Sequence, residues 1–225
     1  MPQAWTWTEE IWREHFGEPL LGAYAVERVD LESYWRCHEA ELRRHFPKEV
    51  FFDMKGLLSD DERRGLDRIA ASEGERLLNC CLVRRGEELA AVFSGHLRPE
   101  GTYRMWHSHV HPDHRGRGLY SEILRRTLAY SRAIGCTSVV SEHAPGNNAI
   151  LIAKLKAGFR IIGMEIDPAV GASINLKYFH NPEHLAAYEF RCGLATLDEQ
   201  LLRHGAGAMP LLVEQFRRFG GAGPG

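Results

Sequence analysis

The sequence has no excess of positive charge. Lys and Arg number 28 against 30 for Asp and Glu, a net charge of -2. Proteins that bind nucleic acid through its phosphates are normally basic, so no nucleic-acid partner is expected. No apolar run approaches the roughly 20 residues that span a bilayer, and no membrane partner is expected. The opening stretch MPQAWTWTEEIWREHF lacks the basic-then-apolar order of a signal peptide. Cysteines are few and odd in number (Cys37, Cys80, Cys81, Cys136 and Cys192), and none are spaced CxxC. They read as reduced thiols of a cytoplasmic protein rather than a disulfide frame or a zinc ribbon. Internal repeats are absent. The 225 residues are 44% hydrophobic and 26% charged, which excludes disordered and fibrous classes and fits one domain with additions. The surplus is histidine. There are 12, and His107, His109, His111 and His114 cluster.

Periodicity orders the chain. Trp5, Trp7, Trp12 and Phe16 mark an amphipathic helix within 1–21, and Thr6 with Glu9 has capping-box spacing. Its aromatics are expected on the main core, with a lid or dimer contact as the alternative. Residues 22–29 suit a strand. Leu31, Tyr34, Trp35, His38, Leu42 and Phe46 fall near one helical face, which Pro47 ends. An apolar loop, 47–58, precedes a charged helix over 60–73 with Ser59 or Asp60 as cap. Three strands, 76–84, 89–98 and 102–110, have connections too short for anything but an antiparallel meander. A polar loop, 111–118, leads to a helix over 119–134 stopped by Gly135. Strand 137–143, helix 148–157 and strands 159–166 and 173–179 follow. Residues 181–225 carry two short helical patterns and end in GGAGPG, a tail expected to be disordered.

The chemistry concentrates at Arg115-Gly116-Arg117-Gly118, between a strand and a helix. The first N–H groups of a helix have no partner within it, and the helix dipole adds partial positive charge there. Glycine lets the backbone approach a phosphate, and the two arginines add charge-assisted contacts. Such a turn suits a phosphate or pyrophosphate. It matches neither the dinucleotide GxGxxG nor the P-loop GxxxxGK[ST].

Val110-His111-Pro112-Asp113-His114-Arg115-Gly116-Arg117-Gly118-Leu119-Tyr120 resembles the acetyl-CoA loop V-x-P-x-x-[RQ]-x-x-G-x-[GA] of the GNAT superfamily of N-acyltransferases. Downstream, Asn147 to Gly158-Phe159 is similar to that family's N-x-x-A-x-x-x-Y-x-x-x-G-F. The resemblance covers roughly residues 22–180 and is specific over 106–159. It implies an α/β (α+β) fold with a mixed, mostly antiparallel sheet flanked by helices. It implies an acyltransferase domain over 22–180, between an aromatic-rich segment (1–21) and a helical extension (181–225). The implied reaction is transfer of an acetyl group from acetyl-CoA to a primary amine of a small molecule or peptide, by direct attack in a ternary complex. The backbone of Arg115, Gly116, Arg117, Gly118, Leu119 and Tyr120 would cradle the pyrophosphate. Val110 would pair with the pantetheine arm, and Asn147 would contact the cofactor. The family's last small residue is Tyr120 here, its Ala is Ile150, and its Tyr, often the acid for the leaving thiolate, is Lys154.

A base must take the proton of the acceptor ammonium, and histidine suits that task near neutral pH. Strand alternation puts His107 and His109 on one face and Trp106 and Ser108 on the other. Glu142 and His143 end the neighbouring strand. Glu142, His143, His109 and His107 are therefore the candidate catalytic residues. The family places the acceptor between the loops near 47–57 and 167–172, where Asp53, Glu165 and Asp167 could steer an ammonium and Phe51, Phe52 and Trp106 could line a pocket. A homodimer is compatible with this reading. Two rivals stand beside it. His109-Val110-His111-Pro112-Asp113-His114 spells H-x-H-x-D-H, which resembles the zinc motif of metallo-β-lactamase-fold hydrolases. Because the acyl-CoA loop explains Pro112, Arg115, Gly116 and Gly118 together, no metal is expected. The second rival is a non-catalytic acyl-CoA sensor.

Overall fold

The expected meander forms from β2 (Leu78–Arg85), β3 (Glu88–Leu97) and β4 (Thr102–Val110). Gly86 and Gly101, both at positive φ, turn the chain between these strands. The computed structural model describes residues 5–46, 54, 56–72, 76–167, 171–195, 199–205, 211 and 214. Residues 1–180 form one compact unit and 181–225 another. The first unit adds β1 (Ala25–Val29), β5 (Ser138–His143), β6 (Arg160–Asp167) and β7 (Gly171–Phe179) to the meander. The seven strands lie in the order β1-β2-β3-β4-β5-β7-β6, and only the β4–β5 pairing is parallel. The sheet is thus mixed and mostly antiparallel, and helices flank it.

Side chains alternate across the central strands and feed two cores. Cys81 and Val83 of β2 join Phe93, Tyr103 and Met105 beneath α1 (Thr8–Phe16) and α4 (Leu119–Ala133). Cys80 and Leu82 join Val92 and Leu89 beneath α2 (Leu31–Cys37), which contributes Tyr34. Each fully buried large apolar side chain here contributes roughly 1.5–3 kcal/mol. Of the N-terminal aromatics, Trp12 and Phe16 lie in the first core and Trp5 packs against it, whereas Trp7 is exposed. Trp12 and Phe16 are buried, and Phe16 meets Phe93 at 5.4 Å and Tyr130 at 6.0 Å. Arg126 of α4 fastens the following chain by donating to the carbonyls of His15, Glu18 and Pro19 at 3.0, 2.6 and 3.0 Å. The capping box expected at Thr6 is replaced. The helix starts at Thr8 with Trp7 in the cap position and no side-chain cap. The box does form at α3 (Asp60–Ser72), where Ser59 and Glu62 bond each other's backbone N–H at 2.8 and 3.3 Å.

Two irregularities shape the site. The β3–β4 register slips so that Ser94 faces His107 and Gly95 faces Met105, which leaves Trp106 as the extra residue of a bulge. A Cβ on Gly95 would stand 2.5 Å from the Tyr103 ring and 2.7 Å from the Arg104 carbonyl, so only glycine fits this point. The bulge reverses the alternation. Tyr103 and Met105 point to the α1–α4 core, whereas His107 points to Tyr34 on the opposite face. The second irregularity is a fork. β4 and β5 pair only at Thr102–Ser138, Tyr103–Val139 and Arg104–Val140, and then diverge. α5 (Asn148–Lys156) packs Leu151 onto the first core.

Helix 30–46, expected to be continuous, changes pitch. α2 ends at Cys37, a π turn covers His38–Leu42, and a 3-10 turn covers Arg43–His45. The second unit holds α6 (Pro182–Arg191), capped by the Asn181 side chain, and α7 (Glu199–Leu202). The GGAGPG tail lies outside the described residues. Among the described residues, no helix is long and apolar enough to cross a membrane.

Candidate active site

The 111–118 loop has a backbone geometry that an anion would fit. Gly116 and Gly118 have φ of 72° and 80°, a left-handed backbone that other residues adopt only at a cost. A Cβ at either would meet open space, so the glycines serve conformation rather than close packing. Gly118 caps α4 without a side-chain bond, and the first intrahelical bond is Glu122 N–H to Gly118 C=O at 2.9 Å. The N–H groups of Leu119, Tyr120 and Ser121 consequently lack partners within a helix of 15 residues. Tyr120 lines the cleft and also packs against the first core. Its side chain turns inward beside Ser108, and burial pushes the phenol pKa up. His114 locks the loop from beneath, with Nδ1 3.2 Å from the Tyr24 hydroxyl and Nε2 3.0 Å from Glu88. Arg115 folds back to the Val110 carbonyl (3.1 Å) and over the Phe46 ring (5.3 Å).

A cleft of about 940 Å³ runs from this cradle into the fork between β4 and β5. Val110, Arg115, Gly116, Gly118, Leu119, Tyr120 and Asn147 line it, together with Ile150 and Ala153 of α5. Past Arg104 and Val140 the facing edges of β4 and β5 lack register partners in each other, so both can pair with an extended ligand. Lys154 sits at the crotch of the fork. It is fully buried, yet it lines the cleft. Its Nζ donates to the Ser141 hydroxyl at 2.7 Å, approaches the Met105 sulfur at 3.3 Å, and lies 4.7 Å from the centre of the Phe159 ring. Burial pulls its pKa down to about 7, partly opposed by the charge of Glu142.

The opposite wall is imidazole. His107 and His109 do share a face, as alternation predicts, but Trp106 does not join Ser108. The bulge turns Trp106 toward Trp35, 5.9 Å away. His109 is buried, with Nδ1 2.8 Å from His38 Nε2 and its ring stacked on Phe46 at 3.6 Å. His107 Nδ1 lies 2.6 Å from the Tyr34 hydroxyl. Nitrogens of His38, His107 and His109 all lie within 4.8 Å of one another. Burial and the neighbouring His109 and His38 push the His107 pKa down to about 3.

Glu142 and His143 end β5 within the same cleft. Glu142 accepts two bonds from Arg104 at 2.9 and 2.6 Å, and Arg98 lies 3.7 Å away. The His143 pKa is lowered to about 3 by burial and then by Lys154, and its Nε2 is buried without a hydrogen-bond partner. Arg117 is exposed, and Glu165 and Asp167 lie on β6 rather than in the cleft lining. Asp53, Phe51 and Phe52 lie outside the described residues, as do most positions of the two loops expected to hold the acceptor.

The histidine motif divides between two places. His109 joins His38 and His107, whereas His111 and His114 group with Glu88, and Asp113 is exposed. The two-zinc arrangement that H-x-H-x-D-H would need is not assembled. Sequence reasoning missed His38, which lies in a π turn on what reads as an ordinary apolar helix face. Its only local signal was a polar residue in the row Leu31, Tyr34, Trp35, Leu42.

No curated protein matches the chain. A family model described as the acetyltransferase (GNAT) family matches residues 31–159, more than half of the chain. Among solved structures, the chain is similar to the ribosomal-protein-S5-alanine acetyltransferase of Vibrio fischeri, at 11% identity and TM-score 0.53, over 71% of this chain and 94% of that one. It is likewise similar to RimJ of Mycobacterium smegmatis in complex with CoA-disulfide, at 15% identity and TM-score 0.51, over 78% and 91%. At 12% identity and TM-score 0.50 it resembles the spermidine N-acetyltransferase SpeG of Vibrio cholerae, over 70% and 94%. These structural likenesses bear on the fold. The family match, joined to the helix-terminal cradle and the forked strands, shows that this chain belongs to the acetyltransferase (GNAT) family, N-acetyltransferases with acetyl-CoA as co-substrate.

Proposed function

We propose that the protein transfers an acetyl group from acetyl-CoA to a primary amine of a small molecule or peptide by direct attack in a ternary complex. The observation that carries this reading is the single cleft that joins the anion cradle, the strand fork and the imidazole wall. Backbone N–H groups of Arg115 to Tyr120 would hold the pyrophosphate, the open edge of Val110 the pantetheine arm, and Asn147 the cofactor beyond the end of β5. Bound there, acetyl-CoA supplies the activated acyl group.

The His38–His109 pair takes the proton of the acceptor amine. Their facing nitrogens, 2.8 Å apart, can share a single proton between the two rings. His107, already held neutral, backs the pair. Glu142 is occupied by Arg104 and Arg98. His143 is too weak a base to lead. The exposed faces of Trp106 and Trp35 supply apolar walls for the acceptor.

The test combines calorimetric binding of acetyl-CoA with a panel of primary amines and detection of released CoA. Binding with amine-dependent release supports the reading. Binding without release from any amine would favour the sensor, and no binding would remove both.

A further inference from the structure

A lysine ammonium sealed at the crotch of the strand fork is expensive, and the fold does little to reduce its cost. Among the described residues, no carboxylate oxygen lies within 4.0 Å of Lys154 Nζ. Its contacts are one hydroxyl, one thioether and one aromatic ring. Charges are buried without an acidic partner only rarely, and then at functional positions. Placement adds a second point. Met105 and Ser141, which hold the amine, are the first residues beyond the last β4–β5 pair, Arg104–Val140. The nitrogen therefore stands where the two strands part, on the Met105 face of the sheet rather than the His107 face.

We propose that Lys154 is the proton donor to the departing sulfur, its Nζ–H bond directed into the fork by Ser141. This rests on the acetyl-transfer reading above. The amine lone pair forms the C–N bond, and the C–S bond breaks with its electrons passing to sulfur. Sulfur takes a proton from the Lys154 ammonium and leaves as the thiol. The proton shed by the amine goes to the His38–His109 pair, and solvent later returns a proton to Lys154. Burial poises the lysine for this exchange, since its pKa of about 7 lets it give up a proton near neutrality. The titratable groups facing it are Glu142, which is charged, and His143, which is held neutral, both on β5; its contact from β4 is the Met105 sulfur.

Hydroxylamine is the acceptor for the test, because it is small and stays neutral above about pH 7. Wild-type protein, Lys154→Met and Lys154→Tyr are compared for acetyl-CoA affinity, melting temperature and kcat against pH. In the wild type, kcat falls as pH rises through about 7. Lys154→Met keeps acetyl-CoA affinity within about threefold and melts no lower than wild type, while kcat falls about 10²-fold. Lys154→Tyr recovers most of kcat, and its alkaline fall moves upward by roughly 3 pH units, because a phenol holds its proton to about pH 10. A wild-type kcat that climbs steadily past pH 9, or a Lys154→Met enzyme with undiminished kcat, overturns the proposal. The wild-type profile needs no variant and decides the matter if both variants misfold. Failure of wild type to bind acetyl-CoA would instead sink the acetyl-transfer reading, and the lysine role with it.

Discussion

His38 Nε2 lies 2.8 Å from His109 Nδ1, although 71 residues separate them. The π turn at His38–Leu42 and the β4 bulge at Trp106 both contribute to this meeting. Each carries a backbone irregularity of the kind found beside functional sites. If the pair receives the amine proton as a unit, losing either member loses the unit. His38→Gln and His109→Gln are each expected to lower kcat about 10²-fold with an ordinary amine, and the double variant should be no worse than either. Steady-state kinetics on the three variants decides it. Multiplied losses in the double variant would show two independent roles.

Gly118 tests the cradle separately from the base. Its φ of 80° costs an alanine roughly 1 kcal/mol, while the new methyl meets nothing within 4 Å. Gly118→Ala should therefore fold with a small loss of stability, yet weaken acetyl-CoA about tenfold as the turn relaxes away from the helix start. Gly95→Ala provides the contrast, because its methyl would collide with Tyr103 and the Arg104 carbonyl. That variant should lose several degrees in melting temperature even without ligand. Equal affinity in Gly118→Ala and wild type would show that the loop does not grip the cofactor through its backbone.

Much of this arrangement is legible in the residues, because the evidence for it is local. The 119–134 helix declares itself by apolar spacing and a glycine stop, and the meander by short turns. The anion cradle is legible as glycines and arginines at a helix start. What escapes is non-local. Nothing near 171–179 announces that β7 inserts between β5 and β6. No pattern in 102–110 reveals the bulge that sends Met105 and His107 to opposite faces. Lys154 stands out as a departure from the family motif, but its burial depends on Phe159, Ser141 and Met105 meeting around it. The inward turn of Tyr120 is equally invisible, since it depends on space beside Ser108.

The buried histidines set an acid limit on stability. His107 and His143 are held neutral, each with its pKa lowered to about 3 from 6.5, chiefly by burial. A depressed pKa means that the unfolded chain binds a proton the folded chain refuses. Their contribution is fully present above about pH 6.5 and drains away as pH falls toward 3. The carboxylates add nothing until lower pH. Glu122, held near 2 by Arg125 and Arg126, loses its stabilising effect only below about 4.5. Melting temperature should therefore decline between pH 6.5 and 4.5, and His143→Gln should flatten that decline. An unchanged slope in His143→Gln would mean that this imidazole is charged in the folded protein.

Lys154 should exact its own cost in stability. Its pKa falls from 10.5 unfolded to about 7 folded, chiefly by burial. Between those values the unfolded chain carries a proton that the folded chain lacks. The destabilisation therefore grows as pH drops from 10.5 to 7 and stays constant below. It amounts to at most a few kcal/mol, on the order set by the shift. Methionine keeps the length of the side chain, buries no charge, and suits contact with Met105 and Phe159. Lys154→Met should accordingly melt several degrees above wild type at pH 7 and below, with the gap closing as pH approaches 10. Thermal melts across that range measure it directly. A residue kept for packing would behave the opposite way, since its removal would lower the melting temperature at every pH. A more stable and slower enzyme is the pattern expected where a buried charge is retained for chemistry.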